Sequence, residues 1–420
     1  LTGHAVWMAT MLPLDTWYIV AVLLAPIGFV LQDVVADAMT VEAVPARRED
    51  GTAYAEAEQQ QMHVTMQTLG RMAIVGGGAL VAGVGGWLAK ALSYEAMCWI
   101  SLAIPVISVL GVLLAAGMRR RSRLVDTIPT EASQGEVPAL NAHILGAGAA
   151  FVVLSLLLGL GQVPYNEEII FLGSLAVIVF LMRGLLVDLD PARRRAIVSI
   201  AIIIFVFRAV PGAGAGSGWW QMERLGFDEA FMGSLRQVSS ILAIGGMLAL
   251  RSWMSRRPVP YLVVFLSLYG TVMTLPFLGM FYGLHEWAAA HFGFGARTIA
   301  LIDTMADSPL GQVAMIPMLA WIAKEAPRNQ KATYFAVMAA FTNLALSASQ
   351  LGTKYLNRLF VVERGRYDEL GVLMIVTMAI GLVLPVLAVW ALQPGANGQW
   401  RRLGVRLKLL KAYFSITQSP

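Results

Sequence analysis

A single cysteine, Cys98, in 420 residues excludes a disulfide framework and any Cys-rich metal site. Charge is scarce as well. Asp, Glu, Lys and Arg make up 14% of the chain against 57% hydrophobic residues, where soluble domains carry ~25% charged residues. Such a chain has more apolar surface than a water-soluble fold can bury, and its mean hydropathy of +0.67 points to lipid as the solvent. No basic segment leads into an apolar run at Leu1, so there is no signal peptide to subtract, and the chain reads as starting part-way through a longer protein. Neither a GxGxxG nor a GxxxxGK(S/T) phosphate loop occurs. The two histidines of HEWAAAH, 285–291, are six residues apart and cannot share a helix face as zinc ligands. With no nucleophile elbow and no metal cluster, the expectation is a protein that is not an enzyme and holds no cofactor or metal.

What the chain does have is a series of long apolar runs. Spanning a bilayer takes about 20 mostly apolar residues, and that ruler predicts helices at about 16–44, 58–89, 96–117, 142–161, 168–187 and 196–213. Five more follow at about 229–251, 259–282, 298–323, 331–359 and 369–392, with residues 1–12 as the tail of another. The fold class is therefore all-α, a polytopic membrane protein of about 11–12 transmembrane helices. The polar stretch 118–141, with RRRSR and TIPTEASQGEVP, reads as a flexible cytoplasmic linker.

Loop charge sets the orientation. Twenty of the 31 basic residues fall on alternate loops and the tail, from Arg47 and Arg48 to Arg406, Lys408 and Lys411. The opposite loops hold five: Lys90, Arg224, Arg297, Arg364 and Arg366. The first side is expected to be cytoplasmic, with the C-terminus there, in a cell membrane such as a bacterial inner membrane. The net charge of +5 is thus a topology signal; no basic stretch is interleaved with stacking aromatics, which argues against nucleic acid as a partner.

Ten charges remain inside the spans: Asp33, Asp37, Asp303, Asp307, Arg71, Arg183, Arg208, Arg236, Lys354 and Arg358. Each costs roughly 2.5–3.5 kcal/mol at a helix centre unless it meets water or a partner. A structural bundle has no need of them, whereas a polar pathway does. Asp33 and Asp37, in LQDVVADAMTVE, are one helical turn apart and share a face. They can exchange a proton, accept paired hydrogen bonds from a guanidine-like ring edge, or pair with a helix arginine such as Arg71. Asp303 and Asp307 repeat the spacing near the outer surface, close to Pro309 and Pro317. Arg71, Arg208 and Arg236 are candidates to bind an anion, Lys354 is the better placed of the pair Lys354 and Arg358, and Arg183 reads as a snorkelling anchor. Glu42 lies at the cytoplasmic rim, where it can clamp Arg47 or Arg48. PGAGAGSGWW, 211–220, reads as a mobile outer loop or gate with Trp219 and Trp220 in the interfacial belt, and His63 reads as packed.

LQDVVADAMTVE resembles the aspartate-rich fourth helix of the folate-biopterin transporters, a branch of the major facilitator superfamily. QTLGRMAIVGGGALVAGVGG is similar to that family's fifth helix, and LGFDEAFMGSLRQVSSILAIGGMLAL to its eighth. The longest match, DTMADSPLGQVAMIPMLAWIAKEAPRNQKATYFAVMAAFTNLALSASQLGTKYL, carries Gln312, Pro317, Pro327 and Asn343 and resembles the tenth and eleventh. The resemblance implies a two-bundle architecture: an incomplete N-terminal bundle at 1–117, lacking the first helices, and a C-terminal six-helix bundle at 196–392. Between them, 142–187 forms an extra, peripheral transmembrane hairpin, and 393–420 is a basic tail. It also implies proton-coupled symport of a folate- or pterin-like anion by a monomer in lipid. Gln312, Pro317 and Asn343 would then be structural or gating residues. The rival expectations are a facilitator of another small organic solute and a non-transporting membrane assembly factor.

Overall fold

The computed structural model of the chain describes isolated positions between 28 and 48, then 50–93, 96, 99–100, 103–125, 142–161, 163–187, 189–311, 315–326 and 331–392. Thirteen helices are bounded within them. The first four are α1 (Glu56–Ala91), α2 (Ala103–Val125), α3 (Ala142–Leu160) and α4 (Asn166–Leu186). Next come α5 (Pro191–Arg208), α6 (Ala215–Arg224), α7 (Glu229–Ser255), α8 (Val259–Phe281) and α9 (Leu284–Phe292). The last are α10 (Ala296–Gly311), α11 (Met315–Glu325), α12 (Lys331–Leu359) and α13 (Leu370–Leu392). No strand occurs among the described residues, and the chain is an all-α polytopic membrane protein.

Five helices are long and apolar enough to cross a membrane by length and composition: α4, α8 and α13 in full, α7 from Ala230 and α12 from Thr333. Other expected spans fall short for local reasons. α5 carries Arg193, Arg194, Arg195 and Arg208 within 18 residues. The run expected as one helix at 298–323 appears as α10 and α11, with 312–314 outside the described residues. α2 continues to Val125, into the stretch expected as a linker.

Two compact units divide the chain: residues 1–36 with 77–157, and 37–76 with 158–420. The division cuts through α1 and α3 and does not follow the sequence boundaries at 118 and 142. In the first unit, Gln32 donates to Ser108 at 3.2 Å, and α2 turns Ile107, Val112 and Leu114 outward, each about two-thirds exposed. Side chains of this kind belong against hydrocarbon.

In the second unit the helix starts are written in the sequence. Asp190 accepts from the N–H groups of Ala192 and Arg193, with Pro191 in the first turn of α5. Asp228 accepts from Phe231 N–H at 2.7 Å to start α7. The helices pack in pairs, α7 on α10, α8 on α13 and α10, and α12 on α4 and α5. Their core is built from Ile197, Ile204, Val263, Ile322, Phe335 and Met338. A second cluster joins Trp220 and Met280 to Leu370, Leu373 and Met374.

That cluster corrects one expectation. PGAGAGSGWW is not a loose loop: Gly212 N–H donates to Thr353 Oγ1 at 3.0 Å, and Ser349 donates to Val210 O at 2.7 Å. Trp220 is 5% exposed and meets Phe277 edge-on at 5.4 Å, so it is core and not an interfacial anchor. Gly216 makes this possible, because a Cβ there would lie 2.4 Å from Val362 Cγ1. His63 is buried, in line with the packed reading.

The α7–α10 contact depends on Gly246, where a Cβ would meet Pro309 O at 2.2 Å. At Gly245 nothing lies within 4 Å. Gly246→Ala is expected to cost about 1–3 kcal/mol, the range for overpacking, while Gly245→Ala stays near neutral; thermal unfolding in detergent measures both. Acid sensitivity is expected at the head of α7. The Phe231 N–H bond, with Arg297 at 2.9 Å, holds the Asp228 carboxyl below the usual carboxylate range. A folded-state pKa below the unfolded one stabilises above about pH 4 and is lost as pH falls through the folded value. Asp228→Asn keeps the cap, so its unfolding temperature should fall less steeply than the parent's from pH 5 to 3.

Candidate functional site

The polar groups of the second unit lie on helices that are otherwise apolar. Arg208 ends α5 and reaches α12, where its Nη2 donates to Asn343 Oδ1 at 3.2 Å. Its Nε is buried without a partner. Arg71, half-buried on α1, is close enough for the two guanidinium charges to repel each other. Neither arginine forms an ion pair among the described residues. Two like charges held near each other in apolar surroundings form a site that an anion would relieve.

On α10, Asp303 is half-buried, with Oδ1 inaccessible and unpartnered among the described residues. Asp307, one turn on, is exposed. The helix is fixed at this level by Tyr269, whose hydroxyl donates to Ala306 O at 2.5 Å. Ser308, which is buried, donates to Thr304 O and accepts from the Ser239 hydroxyl at 2.9 Å. Pro309 lies inside α10 and has no N–H to donate to Met305 O; the flanking carbonyls of Thr304 and Ala306 are held by Ser308 and Tyr269.

A cavity of about 490 Å³ opens between α5, α8 and α13, lined by Phe207, Ser267, Thr271, Thr274, Phe277 and Thr377 among others. That volume is within the ~300–1,000 Å³ of small-ligand sites. Thr271, Thr274 and Thr377 donate to carbonyls of their own helices, while Ser267 Oγ is buried without a partner. At one end of the unit, Lys324 pairs with Glu56 and Arg193 with Glu325 at 3.3 Å, tying α1 and α5 to α11.

The sequence model of the BT1 family matches residues 1–397. The chain belongs to the BT1 family. It is 25% identical over 197 residues to a protein named folate-biopterin transporter from Synechocystis sp. strain PCC 6803. The match covers 46% of this chain and only 39% of that protein. No solved structure matches.

Placed in this BT1 chain, the expected site residues separate. Arg71, Arg208 and Asn343 come together, and Asp303 and Asp307 share α10. Asp33 is half-buried in the first unit. Asp37, Glu42 and Gln312 lie outside the described residues. Arg236 is exposed, and its Nε donates to Met232 O at 3.3 Å, back along its own helix. Pro317 is buried in α11. Lys354 is engaged elsewhere: its Nζ donates to Glu167 at 2.8 Å and Glu168 at 3.0 Å, and Tyr355 adds a bond to Glu168 at 2.7 Å. The hairpin read as peripheral is therefore joined to α12 by a charged clamp.

The cavity hydroxyls were absent from the sequence reading, although a signal existed. Ser267, Thr271 and Thr274 recur at i, i+4 and i+7 on an otherwise apolar helix, and so share a face. The partners of Lys354 had no comparable signal, because they lie 187 and 186 residues away in the chain. A double-mutant cycle on Lys354→Met and Glu168→Gln is expected to show a favourable coupling in thermal unfolding, small because the pair is partly exposed. Zero coupling would remove the clamp as a stabilising contact.

Proposed function

We propose that this BT1 chain forms the anion-binding part of a membrane transporter for folate- or pterin-like organic anions, driven by proton symport through alternating access. The observation that carries the reading is the pair Arg71 and Arg208. Arg71 lies on α1 and Arg208 at the end of α5, their like charges oppose each other, and neither has a carboxylate partner among the described residues. A folate brings carboxylates, which a guanidinium binds bidentately. The name of the Synechocystis relative supports the same substrate class. The cavity beside Ser267 and Thr271 supplies apolar and aromatic walls with a few hydroxyls, a lining suited to a heteroaromatic ring.

Asp303 is the residue we assign to the proton. A buried carboxylate oxygen without a hydrogen bond is costly when ionised and inexpensive when protonated. Proton uptake there would compensate the negative charge carried in by the substrate.

Uptake of labelled folate into vesicles holding the full protein tests both assignments. Accumulation is expected when the side of entry is acidic. Arg71→Gln or Arg208→Gln should lower uptake at least tenfold, the size of a lost charge-assisted hydrogen bond of about 1.5–3 kcal/mol. Asp303→Asn should equilibrate substrate but no longer concentrate it. Absence of pterin uptake by the parent protein would sink the substrate assignment, and accumulation indifferent to the pH gradient would sink the coupling.

A further inference from the structure

Where α4 turns into α5 there is a second cavity, of about 800 Å³, that the transport reading does not use. Successive helices joined by a short turn usually pack side by side, but α4 packs along α12 while α5 packs against α8, α12 and α13. A groove is left between α4 and α5. Its walls are apolar, from Met182 and Leu186 on one side, Val198 and Ile202 on the other, and Phe341 and Leu392 behind. At its mouth stand Arg183, from the last turn of α4, and Arg194 and Arg195, from the first turn of α5.

These three arginines have no ion pair and no side-chain hydrogen bond among the described residues. Their neighbour Arg193 does have a partner, Glu325. The nearest described carboxylate in sequence, Asp190, is occupied in accepting from the N–H groups that start α5. Three guanidinium groups without a carboxylate partner among the described residues therefore crown a groove whose depth is hydrocarbon. That combination fits one kind of molecule. A free phosphate would satisfy the arginines and leave the apolar walls bare; a neutral lipid would do the reverse.

We propose that this groove is a binding site for one anionic phospholipid of the leaflet bordering the arginine-rich ends of α4 and α5. Its phosphodiester lies among Arg183, Arg194 and Arg195, and an acyl chain fills the space between α4 and α5. Basic pockets between membrane helices hold such headgroups by the same pairing. The lipid fastens one end of α4 as the Lys354 clamp with Glu167 and Glu168 fastens the other.

Native mass spectrometry of the detergent-solubilised chain tests it, with phosphatidylglycerol and phosphatidylcholine of identical acyl chains added in turn. The parent chain is expected to retain one phosphatidylglycerol and to release phosphatidylcholine. Arg183→Gln, Arg194→Gln and Arg195→Gln should each weaken phosphatidylglycerol binding about fivefold, and together about a hundredfold. Arg366→Gln, remote from the groove, should leave it unchanged. The single variants keep the test decisive if the triple variant folds poorly. Equal retention of the two lipids, undiminished binding by the single variants, or complete displacement of phosphatidylglycerol by millimolar inorganic phosphate would each overturn the proposal.

Discussion

A charge inside a bilayer must find either an opposite charge, a dipole or water, and this constraint orders everything else in the molecule. Among the described residues the answers differ from one charge to the next. Lys354 has two carboxylates and Lys324 has one. Arg208 has the side-chain oxygen of Asn343, and its Nε is buried without a partner. Where the pairing is complete the charge serves as a fastener. Where it is left incomplete among the described residues, as at Arg71, Arg208 and Asp303, the charge is available for the transport role proposed above.

The same logic explains the placement of the hydroxyls and glycines. Ser267, Thr271 and Thr274 give α8 a polar face, and most of their hydrogen bonds return to its own backbone. A cavity can therefore be polar without unravelling the helix that lines it. Gly246 and Gly216 do the opposite service, removing side chains so that Pro309 and Val362 can come close. Close approach at α7–α10 holds Asp303 on a fixed helix next to Tyr269 and Ser308. The rigid frame and the unsatisfied groups are in this way two outcomes of one packing arrangement.

The extra hairpin gains meaning from the same constraint. From its sequence it is only a pair of apolar runs with acids at one turn and an arginine near the other. In the fold its acids meet Lys354 and Tyr355, and its arginine joins two others over a groove. α4 is thereby tied to α12, the helix that also bears Asn343.

Sequence alone determined the class of the molecule: apolar runs long enough for lipid, a strong asymmetry of loop charge, and charged residues too costly to be incidental. Those are properties of composition and spacing, and they survive without knowing any contact. The start of α7 at Glu229 matched the expected position, whereas α5 begins at Pro191, earlier than the expected 196, because Asp190 caps it. Helix and family resemblance also placed Arg71, Arg208, Asp303 and Asn343 among the residues of interest. Only the tertiary structure decided which charges are spent and which remain free. Lys354 read like Arg208 from its surroundings in the chain, yet one is neutralised by acids nearly two hundred residues away and the other is not. PGAGAGSGWW read as loose because glycine is permissive, but its conformation is fixed by Thr353, Ser349 and Val362. Pairing in a low-dielectric interior depends on distance in space, and no local pattern carries that information.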